Sequence, residues 1–556
     1  MLYLISFTAV IIFVVLFLHH RNKTSKRNRL EQLRKEWGQP KTSYFSFERI
    51  EKYCDLLSAQ RCHRLSSQTQ NDIDFQEIFA FIDRTSSRVG QQYLFRKIKH
   101  PVYSQETLNA FNARVNFFSK NPALREKVQE DLARLNHRDA YFITSLLQEK
   151  LLEKPWWFNF LIVNLILTIG LLAFSITYPG LLIVLILPVG ISMFLHYWNK
   201  GNSFQFVRSF PQLNILMSVA RTVMQRDITF KDARAKNSLQ QLNYFRSKSS
   251  LLSLGSEDGL RDELSQVFTY FIELIKVIFL VEVFTLYHLI RELEAKRDSI
   301  RTLFDYIGEL DAAISVASLR AGSLKTCEPD LSAPAKTLSL KNVYHPLIEN
   351  CVTNDVTIDK NGILITGSNM SGKTTFLRTV ILNSILAQTI FTCFADEFKS
   401  PALKQFSSIR IDDSLMEAKS YYMEEVILMG SLIKEAESLT PNLFVLDEVF
   451  KGTNTVERIA AAKAILSFLN RGNNLVIVST HDGELSDLLK TEYDLYHFTE
   501  TIEGGELIFD HKLKPGPLKT RNAIKILELS DYPKEIIAEA NRLSKNMVRS
   551  GSWWLN

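Results

Sequence analysis

The sequence predicts an α/β domain with a mostly parallel, doubly wound sheet near the carboxyl end of the chain, preceded by a region that carries a pair of long apolar helices. Two observations predict this arrangement. Short apolar segments of strand type alternate with helical segments between residues 362 and 500, which is the pattern of a sheet covered by helices on both faces. Residues 156–197 contain no Lys, Arg, Asp or Glu, and such a stretch is long enough for two membrane-spanning helices.

The composition is that of a folded protein of several domains. The chain has 556 residues, of which 46% are apolar and 23% charged, so it is neither a largely disordered chain nor a collagen-like repeat. Its five cysteines are far apart in sequence, which argues against a disulfide framework and gives no zinc-ligand spacing. The net charge is +6, and residues 21–35, with seven basic residues and one acidic residue, account for all of it. The rest of the chain therefore lacks the basic excess of a strong nucleic-acid footprint.

The first apolar segment, residues 2–18, is followed rather than preceded by the basic cluster at 21–35. A cleavable signal peptide has its positive charges before the apolar run. We therefore expect residues 1–20 to be a retained transmembrane anchor, with a cleaved signal as the alternative. Basic residues stay on the cytoplasmic side of a membrane, so we expect the amino terminus outside and the rest of the chain in the cytoplasm.

The second apolar segment, residues 156–197, is predicted to be a transmembrane helical hairpin. Pro179 and Gly180 mark a turn between two apolar arms, and each arm can cross about 30 Å of hydrocarbon. Lys154 and Lys200 flank the hairpin, so both of its ends would face the cytoplasm. A buried helical hairpin in a large soluble core is the alternative.

The third apolar segment, residues 267–290, is interrupted by Glu273, Lys276 and Glu282. Charged groups at membrane depth are costly. The segment is therefore expected to be one long, mostly buried helix outside the membrane, and a further transmembrane span is the alternative.

A phosphate-binding loop is predicted at residues 367–374. The segment GSNMSGKT fits the pattern G-x-x-x-x-G-K-[ST], and it stands between an apolar strand and a helix, as such a loop requires. Its glycines let backbone N–H groups approach a phosphate at the helix amino terminus. Lys373 would reach the β- and γ-phosphates, and Thr374 would hold Mg²⁺. The predicted nucleotide-binding residues here are Gly367, Ser368, Asn369, Met370, Ser371, Gly372, Lys373, Thr374 and Thr375.

Two further strand ends supply the remaining catalytic groups. One apolar strand ends in Asp447, predicted to hold the metal, and Glu448, predicted to deprotonate the attacking water. Another, at 475–480, ends at His481, which could sense the γ-phosphate. The predicted catalytic residues are thus Lys373 and Glu448, and the predicted metal residues are Thr374 and Asp447. A structural role is the alternative for His481, since a lone histidine is usually structural.

These motifs, in this order, resemble those of the MutS family of DNA mismatch-repair ATPases. TGSNMSGKTTFLR is similar to the family's phosphate loop, including its Asn-Met pair, and LDEVFKGTNTVE and STHDGEL are similar to the segments that follow it. SYYMEEV at 420–426 resembles the family's signature segment, although Tyr421 stands where the family has Thr. Upstream, residues 78–102 and 308–320 are similar to the start and the end of the family's helical lever region.

The resemblance implies an ABC-type P-loop ATPase domain after an all-α lever and core domain into which the transmembrane hairpin is inserted. It implies ATP and Mg²⁺ as cofactors and places His481 among the catalytic residues as the γ-phosphate sensor. It also implies a homodimer with two composite sites and a role for Ser420 at the partner's nucleotide. The expected domains are a transmembrane anchor at 1–20, a basic cytoplasmic linker at 21–74, the helical domain at 75–325 with the hairpin at 156–197, the ATPase domain at 326–545 and a tail at 546–556.

Two functions are consistent with these features. The first is a membrane-anchored MutS-like ATPase that hydrolyses ATP as a dimer and binds DNA, in a repair- or recombination-like role. The second is a membrane-embedded ATP-driven switch that acts on a protein or lipid partner without binding DNA. The short stretch between residues 20 and 75 leaves no room for the family's mismatch-reading domains, and the hairpin lies where soluble relatives carry a DNA-gripping clamp. An ABC transporter subunit fits less well, since three spans make a poor pore and the Leu-Ser-Gly-Gly-Gln signature is absent.

Overall fold

The computed structural model divides the chain into two compact units. It describes residues 24, 27–55, 63–147, 158–202, 204–226, 228–230, 232–253, 263–368, 370–410, 421–450, 454–503, 506–518, 523–530 and 532–550. The helical unit takes its described residues from 1–58, 82–96 and 113–321, and the sheet unit takes its own from 59–81, 97–112 and 322–556. This division differs from the expected domains, because residues 59–81 and 97–112 belong with the sheet. The predicted anchor at 1–20 lies outside the described residues.

The amino-terminal part of the chain is helical, as predicted. The longest helix, α14, has 24 residues, most of them buried, because it lies at the centre of the helical unit and contacts α7, α10 and α11. Up to residue 320 the helices are α1 (27–36), α2 (Phe47–Asp55), α3 (Ser67–Asp72), α4 (Phe75–Ile82), α5 (Arg88–Lys99), α6 (Gln105–Lys120), α7 (Pro122–Leu132), 3₁₀ segments (Ala133–Leu135 and Arg138–Leu147), α8 (Phe158–Ser175), α9 (Leu181–Asn202), α10 (Phe204–Gln225), α11 (Ala233–Ser253), α12 (Glu263–Ile278), α13 (Val281–Glu294) and α14 (Arg297–Arg320).

Helices α8 and α9 occupy the two predicted apolar arms and pack against each other. Asn164 on α8 donates hydrogen bonds to the hydroxyl of Ser192 (2.8 Å) and the carbonyl of Pro188 (3.2 Å) on α9. Among the described residues these are the two helices long and apolar enough to cross a membrane, by length and composition alone. Only 28% of the apolar window in α8 and 17% of that in α9 is buried, so most of their apolar side chains face outward.

The expectation of one long, buried helix over 267–290 is wrong. The segment is broken between α12 and α13, where Leu280 has a φ of 50°, in the left-handed region that ends a helix. Leu280 is fully buried and packs with Phe158 of α8. Glu282, which argued against a membrane span, is buried, and its Oε2 lies 3.5 Å from Nε2 of His196 on α9. The amino-terminal half instead exposes Tyr270, Phe271, Leu274 and Ile275.

The sheet unit contains the predicted mostly parallel sheet. Its strand order is β11-β8-β3-β7-β6-β5, and every neighbouring pair is parallel except β11 with β8. A smaller antiparallel sheet has the order β2-β1-β4. The strands are β1 (Thr337–Val343), β2 (Asn354–Asp359), β3 (Gly362–Thr366), β4 (Glu397–Lys399), β5 (Lys404–Ser408), β6 (Asn442–Asp447), β7 (Leu475–Thr480), β8 (Tyr493–His497), β9 (Glu500–Glu503), β10 (Glu506–Phe509) and β11 (Lys514–Pro515).

The central strands are buried because helices follow each of them. β3 and β7 are buried over their whole length, as expected of parallel strands covered on both faces. The register sets Thr366 of β3 beside Thr480 of β7, and Asp447 of β6 beside Ser479 of β7, so the carboxyl ends of three strands meet at one edge. The remaining helices are α15 (Lys373–Ala387), α16 (Tyr421–Ala436), α17 (Thr455–Leu469), α18 (Gly483–Leu489), α19 (Ala523–Leu529) and α20 (Lys534–Ser550).

Candidate active site

The loop between β3 and α15 depends on two glycines. Gly367 has a φ of 147° and Gly372 a φ of 111°, both in a region that side chains with a Cβ disfavour. A Cβ on Gly367 would lie 2.8 Å from the carbonyl oxygen of Phe498, closer than real Cβ atoms come. Gly372 caps the amino terminus of α15, where the helix dipole favours an anion. The backbone therefore has the form of a phosphate-binding loop, as predicted.

Polar side chains hold this loop in place. Lys373 is 2% exposed, and its ammonium group donates to the carbonyls of Gly367 (2.6 Å) and Ser368 (2.9 Å). Ser371 donates to the same carbonyl of Ser368 at 2.7 Å, and the hydroxyl of Ser368 donates to Glu500 at 3.0 Å. The lysine thus lies directly over the loop, where its charge would meet an incoming phosphate.

A hydroxyl and a carboxylate meet beside the loop. Asp447 ends β6 and accepts a hydrogen bond from Thr374 at 2.7 Å and another from Ser479 of β7. Hard oxygen donors of this kind suit Mg²⁺, which commonly takes one or two protein oxygens and completes its shell with water and substrate phosphates. The described residues contain no group of three or more His, Cys, Asp or Glu that could hold a metal.

The predicted base and the predicted sensor form a close pair. Nε2 of His481, directly after β7, lies 2.6 Å from Oε1 of Glu448, directly after β6. Glu448 has a φ of 54°, an uncommon conformation for a residue with a Cβ, and its N–H donates to the carbonyl of Ser479 at 3.0 Å. Such conformations cluster at functional sites, because the surrounding structure must hold them. Arg458 pairs with Asp482 at 2.6 Å and fixes the turn that carries His481.

A cavity of about 420 Å³ adjoins the loop. His511, after β10, forms part of its wall: Nδ1 lies 3.0 Å from the carbonyl of Ser371, and the ring stacks on Phe509. The carbonyl of His511 accepts from Asn354 at 3.1 Å. His511 is not among the predicted site residues. Other lining residues are Val343, Tyr344, Ile348, Cys351, Asn354, Met370, Thr375, Phe376 and Phe498.

The segment just before α4 joins the sheet unit through two aspartates, which sequence reasoning placed in a linker. The Asp72 carboxylate is buried and accepts hydrogen bonds from the hydroxyl of Ser407 (2.6 Å) and the N–H of Arg410 (2.8 Å). Burial raises the pKa of Asp72, although these hydrogen bonds partly offset that effect. Asp74 contacts Arg378 on α15 and Arg410 after β5, both at 2.7 Å. Residues 72–74 therefore connect the helix of the phosphate loop to the edge strand.

Two predicted site residues, Asn369 and Ser420, lie outside the described residues, so the role of Ser420 in a partner's site stays a prediction. The signature segment continues into α16, which begins at Tyr421. Met370 is 73% exposed beside the loop, and Thr375 lies in the first turn of α15. The structure thus brings the remaining predicted residues together at one edge of the sheet.

Comparison with known proteins agrees with this geometry. Residues 363–548 match the sequence model of MutS domain V. The DNA mismatch repair protein MutS of Listeria monocytogenes is 32% identical over 264 residues, which cover 45% of this chain and 30% of that protein. The protein of the same description from Lactobacillus delbrueckii is 31% identical over 286 residues, which cover 49% of this chain and 33% of that protein.

The sheet unit therefore contains a P-loop ATPase domain of the MutS type. The chain spans about a third of the length of the curated relatives it matches. The similarity supports ATP as the nucleotide, and it leaves the activity, substrates and partners of the whole protein to be proposed.

Proposed function

We propose that the chain is a membrane-anchored MutS-type ATPase that hydrolyses Mg·ATP as a dimer. The observation that supports hydrolysis is the meeting of three strand ends at the loop. Lys373 and Thr374 follow β3, Asp447 and Glu448 end and follow β6, and His481 follows β7. Because Glu448 lies close to His481, its carboxylate would be held in place as a base beside the γ-phosphate.

In the proposed reaction a water oxygen forms a bond to the γ-phosphorus, and the bond from that phosphorus to the bridging oxygen breaks. ADP leaves with the electron pair of the broken bond. Glu448 accepts a proton of the water, and His481 orients the Glu448 carboxylate and contacts the γ-phosphate. Lys373 donates to phosphate oxygens, while Thr374 and Asp447 would hold Mg²⁺, which neutralises the phosphate charge when bound. We place the adenine in the 420 Å³ cavity against His511.

Phosphate release by the purified full-length protein tests this assignment. Removing a positioned base costs about 100- to 10,000-fold in rate, so Glu448→Gln should lose hydrolysis while still binding ATP and remaining dimeric. Lys373→Ala should weaken ATP binding about tenfold or more, because it removes charged hydrogen bonds to phosphate.

Glu484→Gln is the matched control. Glu484 is an exposed carboxylate on α18, three residues after His481, so the same change of charge should leave hydrolysis near the parent rate. Normal turnover by Glu448→Gln would show that another group is the base, and equal losses in both variants would point to a general charge effect.

The membrane proposal rests on α8 and α9. Exposed apolar side chains over two adjacent helices of this length are costly in water, at roughly 25 cal/mol per Å² of apolar surface. A bilayer removes that cost. With Lys154 and Lys200 on the cytoplasmic side, the ATPase domain would face the cytoplasm.

DNA is the proposed ligand of the helical region because the relatives are named as DNA mismatch repair proteins. The alternative, a membrane-embedded switch that acts on a protein or lipid, is favoured by the outward apolar face of α8 and α9. A gel-shift titration of the full chain in detergent, with duplex and branched DNA at low and moderate salt, separates them. DNA binding should weaken as salt rises, since phosphate contacts release counterions. If the DNA band does not shift at low salt, the membrane-embedded switch is the better-supported function.

A further inference from the structure

A second cavity of about 420 Å³ lies within the helical unit, away from the nucleotide loop in sequence. Its walls come from α1 and the turn after it, the loop that precedes α5, and the region around the end of α7. Cavities of this size hold small organic ligands. The lining residues are Arg29, Gln32, Leu33, Glu36, Trp37, Gln39, Pro40, Lys41, Thr42, Ser43, Arg84, Thr85, Ser86, Arg88, Gln129, Ala133, Asn136 and Ser318.

The lining of this cavity is strongly basic. It holds four cationic side chains, Arg29, Lys41, Arg84 and Arg88, against one carboxylate, that of Glu36. Arg29 and Glu36 are exposed at the rim, whereas Lys41, Arg84 and Arg88 are half-buried. Half-buried charges are less screened by salt than exposed ones, so an anion in the cavity would feel most of this positive potential.

Two buried carboxylates lie next to the basic residues of the cavity lining, and both already accept hydrogen bonds from neighbouring groups. Asp83 is 2.8 Å from the Lys41 ammonium group and accepts further hydrogen bonds from Thr85 and Gln91. Asp311 on α14 accepts from the N–H groups of Ser86 and Ser87, each at 2.8 Å. Counting both carboxylates with Glu36, the four cations still exceed the anions by one.

Neutral acceptors orient the two arginines of the wall. Arg88 donates to the carbonyl of Asn136 at 3.2 Å and to Gln91 and the hydroxyl of Tyr141. Arg84 donates to the carbonyl of Ile82 at 3.1 Å. Burial lowers the pKa of Arg84 to about 10, and the nearby Asp83 opposes this effect only in part. A second anion close to Arg84 would stabilise its charge.

We propose that this cavity binds a phosphorylated small molecule of up to nucleotide size. Guanidinium groups match the geometry of phosphate oxygens, and two of them are held in place here before any ligand arrives. Glutamine, asparagine and serine side chains in the lining would contact the neutral part of such a molecule. This proposal goes beyond the ATPase function and does not depend on it.

Isothermal titration with pyrophosphate tests the proposal in the full chain carrying Lys373→Ala, which weakens phosphate binding at the nucleotide loop. We expect saturable binding at one site. Adding Arg84→Met keeps most of the side-chain volume, removes the charge and should weaken binding at least tenfold. Arg138→Met, at an exposed arginine outside the cavity, should leave binding unchanged within twofold.

Thermal unfolding of each variant checks that it folds. Arg29→Met, at the rim, should weaken binding less than Arg84→Met and provides a second measure if the latter unfolds. An absence of pyrophosphate binding, whether or not duplex DNA binds, or an equal loss in Arg138→Met would overturn the proposal. ATP hydrolysis by Arg84→Met with Lys373 intact should stay at the parent rate, which separates this test from that of the nucleotide site.

Discussion

Apolar segments are buried in the sheet unit but largely exposed in part of the helical unit. In the sheet unit every residue of β3 and β7 is buried, because helices cover both faces of the sheet. In the helical unit, α8 and α9 are as apolar, yet only 28% and 17% of their apolar windows are buried. Hydropathy thus predicts that a segment avoids water, but not what replaces the water. For the strands it is protein, and for α8 and α9 it is, in our proposal, lipid.

Thiol labelling of two exposed leucines tests this difference most directly. Leu187 on α9 is 70% exposed and Leu439, after α16, is fully exposed. In membrane vesicles with the cytoplasmic face outward, Leu187→Cys should react with a charged maleimide at least about 100-fold more slowly than Leu439→Cys. The reactive thiolate does not form in hydrocarbon, and the charged reagent does not enter it.

The parent chain, with its five cysteines, gives the background to subtract. Dissolving the vesicles in a mild detergent, whose micelles let small reagents enter, should bring the labelling rates of the two variants closer together. Equal labelling in intact vesicles would mean that α9 faces water there, and the comparison between lipid and protein burial would fail.

Much of the nucleotide site could be predicted because its residues follow shortly after apolar strands. Parallel strands place their carboxyl ends at one edge, so these residues were expected near one another. Thr374 contacts Asp447, and His481 contacts the neighbouring Glu448. Asp72 and His511 could not be placed in this way. The hydrogen bonds of Asp72 to the strand β5 cross more than 330 residues of sequence. Only the fold brings such distant segments together.

The helical unit was harder to predict because its helix limits depend on contacts between distant segments. Glu282 indicated a mostly buried helix outside the membrane, and the folded chain buries this carboxylate beside His196. The break before α13 depends on Leu280, a residue with good helix propensity, and no local signal marks a left-handed conformation there. The Leu280 side chain packs against Phe158, a contact between distant segments that the local sequence does not show. Propensity and pattern therefore predicted the helix type but not its limits.

Each unit also buries an ionisable group, and the two groups should affect stability in opposite directions as the pH falls. In the sheet unit, burial and the nearby Arg378 lower the pKa of His345 to about 4. In the helical unit, burial raises the pKa of Asp311 to about 6, although serine N–H groups donate to its carboxylate. His345 is thus held neutral when folded, whereas Asp311 is held with its proton more tightly than when unfolded.

These pKa shifts predict that the unfolding free energies of the two units change in opposite directions between pH 7 and pH 5. The expected changes are smaller than the labelling difference described above. A depressed histidine pKa contributes stability above about 6.5 that is lost as the pH falls towards 4, so the sheet unit should lose about 2 kcal/mol of unfolding free energy at pH 5. A raised aspartate pKa contributes stability at low pH that is lost as the pH rises through about 6, so the helical unit should gain about 1 kcal/mol on the same change. Urea equilibration at each pH, followed by a hydrogen-exchange pulse at a common pH and mass spectrometry, measures each unit separately.

Single substitutions assign the response to these two groups. His345→Gln cannot take up the proton, so the sheet unit of that variant should lose about 2 kcal/mol less than the parent between pH 7 and pH 5, whatever its stability at pH 7. Asp311→Asn should likewise abolish the gain in the helical unit. If the sheet unit of His345→Gln still weakens as much as the parent, its acid sensitivity belongs to other groups whose pKa is lowered on folding. The buried carboxylate of Asp72 is not such a group, because its raised pKa would oppose the loss as the pH falls.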